Sequence, residues 1–422
     1  MKEIKITFLA LSRTTELDIK SDNEIGSIVN DLLMVFAKEI DYKNFKIDID
    51  SLQQNIPDFK TKIDGVVQKY KDVNPKIQQI NSYFKELKDN EYFFVFPNAS
   101  ISKEQSFQFY NYLSALEKNE DFEKVTKQID DLFGVLMDSY EMFAFDENTR
   151  NKIGEPDKSK RICRFCNKPN GEVSFKKVAH SISEALGNKK IITNDECDSC
   201  NEEFGTGIEN DLILYLNLYR NVFGIKGKNG IPKLKGKNFE IENKGTIEIK
   251  QILTDEEIND PNRDDFKIRL ESNQNITTQN IYKTLSKYAL GVIDRTQIAN
   301  FSDTIEWING TKNIDNLPKI AMFTSYDLFT IHPKLMVYLR KTDDNKLPYA
   351  VAEFRFTFLT FVYVIPNSSK DTTDFTQDEN FKHFWEFFKH YSSVPHWKFQ
   401  KMNDNIARQF VMNLNFEPKE KK

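Results

Sequence analysis

Two Cys-x-x-Cys pairs constrain this chain more than any other feature. The sequence holds four cysteines, Cys163, Cys166, Cys197 and Cys200, and all lie within 161–211. Each pair offers two thiolates to one tetrahedral ion, the usual build of a closed structural zinc site, and no cysteine is left over. The expected ligands of structural Zn2+ are therefore Cys163, Cys166, Cys197 and Cys200. Cysteines confined to one metal site fit a reducing compartment, so a cytoplasmic location is expected.

The interval between the pairs, 167–196, is 30 residues, whereas a plain zinc ribbon leaves roughly 15–20. Something besides a tight ribbon is therefore expected between the two halves of the site. The insert contains His180, the only histidine in the first 331 residues. It ends the run 173–180, which reads as a strand. Asn201 follows the last cysteine directly and is expected to open a helix.

With its parts in this order, the stretch resembles the HNH endonuclease family. The resemblance rests on a Cys-x-x-Cys pair and a strand ending in Ala179-His180-Ser181-Ile182-Ser183-Glu184-Ala185-Leu186-Gly187-Asn188. It continues through Cys197-Asp198-Ser199-Cys200-Asn201-Glu202-Glu203-Phe204-Gly205 and Ile208-Glu209-Asn210-Asp211-Leu212. The stretch is similar, more narrowly, to the zinc-stapled branch with a His-x-Ile-x-Glu-x-Leu-Gly core. The resemblance implies a ββα-metal finger, a hairpin carrying a base followed by a helix carrying a metal ligand.

The chemistry it implies is metal-dependent phosphodiester hydrolysis. His180 is the candidate base, because a neutral imidazole has a pKa near enough to 7 to take a proton from water. Asn201 matches the family's metal-ligand position and offers a hard oxygen to Mg2+ or Mn2+. Zinc in four thiolates does no chemistry, since its coordination is full. One position departs from the family. Where many HNH enzymes place an acidic or histidine ligand before the base, this chain has Ala179. Glu184, Asp195 and Glu209 are the nearest carboxylates to substitute. Otherwise the ion is held by Asn201, water and substrate phosphate, or the finger is inactive and only binds. Asn188 and Asn194 are candidates for orienting the hairpin or the base, with Asn194 ranked ahead.

A length of 422 residues exceeds what one core usually serves. The pattern of elements predicts a multidomain α+β fold. Residues 1–146 read as a mostly helical α/β domain with a regulatory or docking role, and 147–160 as a linker. Residues 161–225 read as the HNH module, 226–238 as a basic Gly/Lys loop, and 239–422 as a strand-rich α+β domain. In the first region, 4–11 and 92–96 read as strands. Ser21 and Glu24 read as a capping box, 61–88 as a helical stretch broken near Pro75, and Ser102 as a helix start. The spacing from Phe122 to Phe143 predicts one long helix. In the last region, Phe266 opens a strand and 349–365 reads as strand. His383 and His390 fall two helical turns apart, without a cysteine or carboxylate at ligand spacing.

Charge points to nucleic acid only locally. Across 158–238, 15 Lys/Arg stand against 9 Asp/Glu, a net of +6 in a chain of net −5. A basic module on an acidic body concentrates phosphate contact there. Lys176, Lys177, Lys189, Lys190, Lys233, Lys235 and Lys237 are the candidates, and DNA is expected ahead of RNA. A partner protein or activating ligand is expected at the terminal domains, and the oligomeric state is open. No membrane association is expected. The longest apolar run, 356–365, is too short to span a bilayer, and the N-terminal stretch does not read as a signal peptide. The function this suggests is a regulated effector in bacterial defence against phage or plasmid DNA. The alternative is a catalytically inactive, zinc-stapled nucleic-acid-binding module.

Overall fold

The computed structural model describes residues 2–21, 25–41, 46–97, 103–147, 150–261 and 267–415. Expectations resting on Glu24, Ser102 and Phe266 lie outside the described residues. The fold is α+β, and the chain divides into two compact units, 1–135 and 136–422.

The first unit is built on strand Lys2–Ala10. It pairs antiparallel with Thr14–Ser21 and with Tyr92–Pro97, and Leu52–Gln54 completes a four-stranded sheet. The alternate residues Ile6, Phe8 and Ala10 are fully buried, as a period of two requires of a strand with one covered face. Ile28, Leu32 and Phe36, spaced four apart, cover that face together with Phe59, Ile63 and Val67 of helix Pro57–Tyr70. The expected break at Pro75 is a short 3-10 turn, Pro75–Ile77, before helix Gln78–Glu86. Proline there cannot supply the amide that a continuous helix needs.

The single helix expected over 122–143 is not formed. Helix Phe122–Ile129 passes through a π-helical turn, Asp130–Gly134, into the short helix Val135–Ser139, and Tyr140–Phe145 is a strand. That strand pairs with Thr330–Arg340, and Tyr140 buries its ring while donating to the Pro348 carbonyl at 2.7 Å. A run this rich in aromatics suits a half-buried pleated surface. An available sheet edge outweighs the helical spacing. The boundary expected at 146 therefore falls earlier, near 135.

The expected linker 147–160 is also partly structured. Strand Asn151–Ile153 runs parallel to Ile191–Thr193. Gly154 follows with φ +87°, and a Cβ there would stand 2.2 Å from the Asp195 carboxylate. Only glycine allows that approach.

The second unit carries a six-stranded antiparallel sheet. Its order is Lys398–Gln400, Ile320–Thr324, Leu359–Val364, Ala350–Thr357, Thr330–Arg340 and Tyr140–Phe145. The run 349–365 is thus a hairpin and not one strand. It turns at Thr357, which has φ +54°, and Phe358. Helix Thr278–Val292 is buried over most of its surface. One continuous core joins Cys163, Phe175, Leu186 and Phe204 to Leu285 and Tyr288 of this helix and to Phe354 and Phe361 of the sheet. The segment expected as a separate module shares its core with the region that follows it. His383 and His390 lie on two helices, Asp378–Phe387 and Lys389–Ser392, because the backbone breaks at Phe388. They do not share a helical face. No described helix is long and apolar enough to cross a membrane.

Candidate functional site

The four cysteine sulfurs converge, all within 4.8 Å of one another. Cys163 and Cys200 are 3.8 Å apart and Cys166 and Cys197 are 3.7 Å apart. A tetrahedron with Zn–S bonds of about 2.3 Å has edges of about 3.8 Å, so the thiols fit zinc. None is in a disulfide. The first pair sits on a tight turn closed by Asn167, with φ +56°, whose amide donates to the Cys163 carbonyl at 2.9 Å. The second pair sits at the start of helix Asp198–Thr206. The contact with Cys200 favours the Cys163 thiolate, lowering its pKa to about 5 against the cost of burial, and raises that of Cys200. Thiolate is the form that binds metal.

His180 sits on a minimal hairpin. It bridges to Ile192, the Ser181 amide donates to the Ile191 carbonyl at 3.0 Å, and the Thr193 amide donates to the Ala179 carbonyl at 2.9 Å. The strand expected over 173–180 is reduced to this end. Upstream, the Asp198 carboxylate takes over the backbone, accepting from the amides of Lys176 and Lys177 and from the Ser174 hydroxyl. Asn188 clamps the hairpin from inside. Its amide donates to the carbonyls of Ile182 and Ile191, and its oxygen accepts from the amides of Lys190 and Ile191. Asn194, ranked ahead of it from sequence, contributes its backbone amide to the Ile153 carbonyl. Gly187, with φ +88°, turns the chain between Glu184–Leu186 and the clamp.

The imidazole of His180 is half-buried. Burial lowers its pKa, Glu184 opposes that shift, and Lys287 adds to it. The ring is therefore neutral at pH 7 and able to accept a proton.

The carboxylates around it are differently engaged. Asp195 is fully buried, with Arg164 at 2.7 Å and Arg295 at 3.2 Å. Two guanidinium partners remove it from the candidate metal ligands. Glu209 pairs at 2.9 Å with Lys287, which also pairs at 3.1 Å with Glu196. These are contacts of charge more than of aligned hydrogen bonds. Burial raises the Glu196 pKa to about 7 despite Lys287. Burial also pulls Lys287 down, but the two carboxylates outweigh it and hold its pKa up. Glu184 and Asn201 are half-exposed oxygen donors, and among the described residues no hydrogen bond joins Asn201 to His180. Among the described residues, the four cysteines are the one cluster of three or more His, Cys, Asp or Glu side chains able to hold a metal.

Lys287 is a residue that sequence reasoning missed. It comes from helix Thr278–Val292, and its position in an ordinary amphipathic pattern gives no sign of its burial. The same helix holds the finger elsewhere. Arg164, inside the first cysteine pair, donates to the carbonyls of Leu290 and Ile293 at the helix C-terminus. Such a cation also complements the helix dipole. Thr193 donates to the Gly291 carbonyl at 3.0 Å, and Asp211 accepts from the Thr277 amide at 3.0 Å.

The expected phosphate-binding lysines divide into two groups. Lys177 pairs with Glu202, Lys233 with Glu240 and Glu242, and Lys235 with Glu240. Lys190 donates to the Glu147 carbonyl at 2.5 Å. Lys176, Lys189 and Lys237 have no ion pair among the described residues, and neither do Lys226 and Lys228. The last two flank Gly227, whose Cβ position is 2.9 Å from Ala185, so they border the loop that follows His180.

With this geometry in place, residues 163–216 match the family described as HNH endonuclease. The match begins at the first zinc-site cysteine and ends within helix Ile208–Val222. No curated protein and no solved structure matches the chain.

Proposed function

Starting from an HNH endonuclease segment at 163–216, we propose that the protein is a metal-dependent endonuclease that hydrolyses phosphodiester bonds of DNA. The observation that carries this reading is the half-buried imidazole of His180, held at the end of a short hairpin in a segment whose four thiols converge on one point. In this reading His180 takes the proton from the attacking water. Zn2+ bound by Cys163, Cys166, Cys197 and Cys200 fixes the hairpin and helix Asp198–Thr206 in register. A hard divalent ion supplies charge stabilisation at the scissile phosphate. Asn201 and Glu184 are the protein oxygens open to it, which suits an ion such as Mg2+ that keeps several waters and relies on substrate phosphate. Glu209 and Lys287 shape the field at His180.

The proposed setting is an effector acting on phage or plasmid DNA, with unit 1–135 as the control element. Plasmid nicking tests the chemistry. Cleavage is expected with Mg2+ or Mn2+ and should stop with EDTA under conditions that leave zinc bound. Cleavage that persists without any hard divalent ion would contradict the reading. Ala179 and the double pairing of Asp195 favour a second reading, a nucleic-acid-binding module without catalysis. That reading expects binding and no nicking.

A further inference from the structure

One end of the large sheet carries a group of aromatic rings that the hydrolytic chemistry does not use. Strand Ile320–Thr324 leads into the turn Tyr326–Leu328, and strand Thr330–Arg340 begins just beyond it. Phe358, at the tip of the neighbouring hairpin, accepts a hydrogen bond from the Ser325 amide. Tyr326 lies 5.1 Å from Phe358, and Phe329 lies 5.0 Å from Phe223. Phe358 in turn contacts Phe223 and Tyr219. Despite this packing, Tyr326 is 78% exposed and Phe329 is 45% exposed. Leu328 and Ile331 are exposed beside them, and a run of large exposed apolar side chains such as this marks an interaction surface.

Its position says what it meets. Tyr219 and Phe223 lie at the end of helix Ile208–Val222, which the HNH segment enters. The next residue but one, Ile225, is 3.2 Å from the Cβ position of Gly187, and His332 is 3.9 Å from it. The rings therefore adjoin the loop that follows His180. Exposed Lys226 and Lys228 border the same loop, and neither has an ion pair among the described residues. Rings that accept base faces, next to cations that accept phosphates, are the two components of a surface for unpaired nucleic acid. A base inside a duplex is already stacked on both faces, so such rings select strands with free bases.

We propose that Tyr326 and Phe329 form a stacking platform for unpaired bases of the nucleic acid cut at the finger, with Lys226 and Lys228 tracking its phosphates. This deepens the nuclease reading and rests on it. The occupant is a single strand, an end or a flap, and not a second protein.

The test uses the full chain carrying His180→Ala, so that bound strands stay intact. Fluorescence anisotropy compares a labelled oligothymidylate with a labelled duplex of equal length at fixed salt. Adding Tyr326→Ala and Phe329→Ala should weaken binding of the single strand by about tenfold or more, with a smaller change for the duplex. Tyr326→Phe with Phe329→Tyr should retain single-strand binding. Unchanged single-strand binding, or equal losses for the two DNA forms, overturns the platform. If the alanine variant loses thermal stability, Tyr326→Ala alone carries the comparison. Sedimentation velocity adds a second arm. A wild-type dimer that the alanine pair dissociates, with DNA binding unchanged, would assign the rings to a second copy and overturn the proposal. The parent reading fails separately, through absence of divalent-ion-dependent cleavage by the wild-type protein.

Discussion

The sharpest expectation for a single residue concerns His180. A base works only in its unprotonated form, and burial holds this imidazole below its ordinary pKa. The acid limb of kcat/KM should therefore lie below about 6.5, the value of free histidine. A pH–rate profile of plasmid cleavage checks this, and a limb above that value would contradict the assignment. The convergence of the four cysteines was legible because their chemistry is carried by residue type and spacing. The two asparagines were not. Asn188 and Asn194 look alike in the chain, and what separates them is that the carbonyls of Ile182 and Ile191 fall within reach of Asn188 alone. The pairing of Asp195 was hidden for a related reason. Its partners Arg164 and Arg295 stand 31 and 100 residues away in sequence.

At the scale of elements, the turn at Gly187 and the buried Asp195–Arg164 pair both support the hairpin, and the two should differ in strength. Gly187→Ala places a Cβ 3.2 Å from Ile225 at φ +88°, with an expected cost of about 1–3 kcal/mol. Asp195→Asn leaves the buried Arg164 without its counter-charge, with an expected cost of about 3–5 kcal/mol. Denaturant unfolding of both variants should preserve that order, and a reversed order would show that the ion pair contributes little. The strands expected over 4–11 and 92–96 were readable from their apolar runs, and they are Lys2–Ala10 and Tyr92–Pro97. Tyr140–Phe145 was not, because its aromatic residues satisfy a helical spacing as well as a strand, and the edge of Thr330–Arg340 decides between them. The short pairing at His180 was over-read as a full strand, since Asp198 binds the backbone upstream of it.

For the whole molecule, the finger is not a free-standing unit. Lys287, Gly291 and the carbonyls of Leu290 and Ile293 come from a helix far along the chain, and the core runs through both parts. A fragment limited to 161–225 should stay unfolded in circular dichroism even with zinc supplied, although small zinc modules often fold on metal binding alone. A folded fragment with bound zinc would contradict this dependence. No stretch of sequence announced the shared core, because the apolar residues on either side of 226–238 carry no mark of what they pack against. With His180 as the base, cleavage of nucleic acid runs through one imidazole. The direct measurement is plasmid cleavage by the full chain and by His180→Ala at equal zinc content and equal DNA binding. The variant should lose cleavage by at least about a hundredfold, the usual contribution of a general base, and added Mg2+ should not restore it. Cleavage by His180→Ala at the wild-type rate would contradict that role for His180.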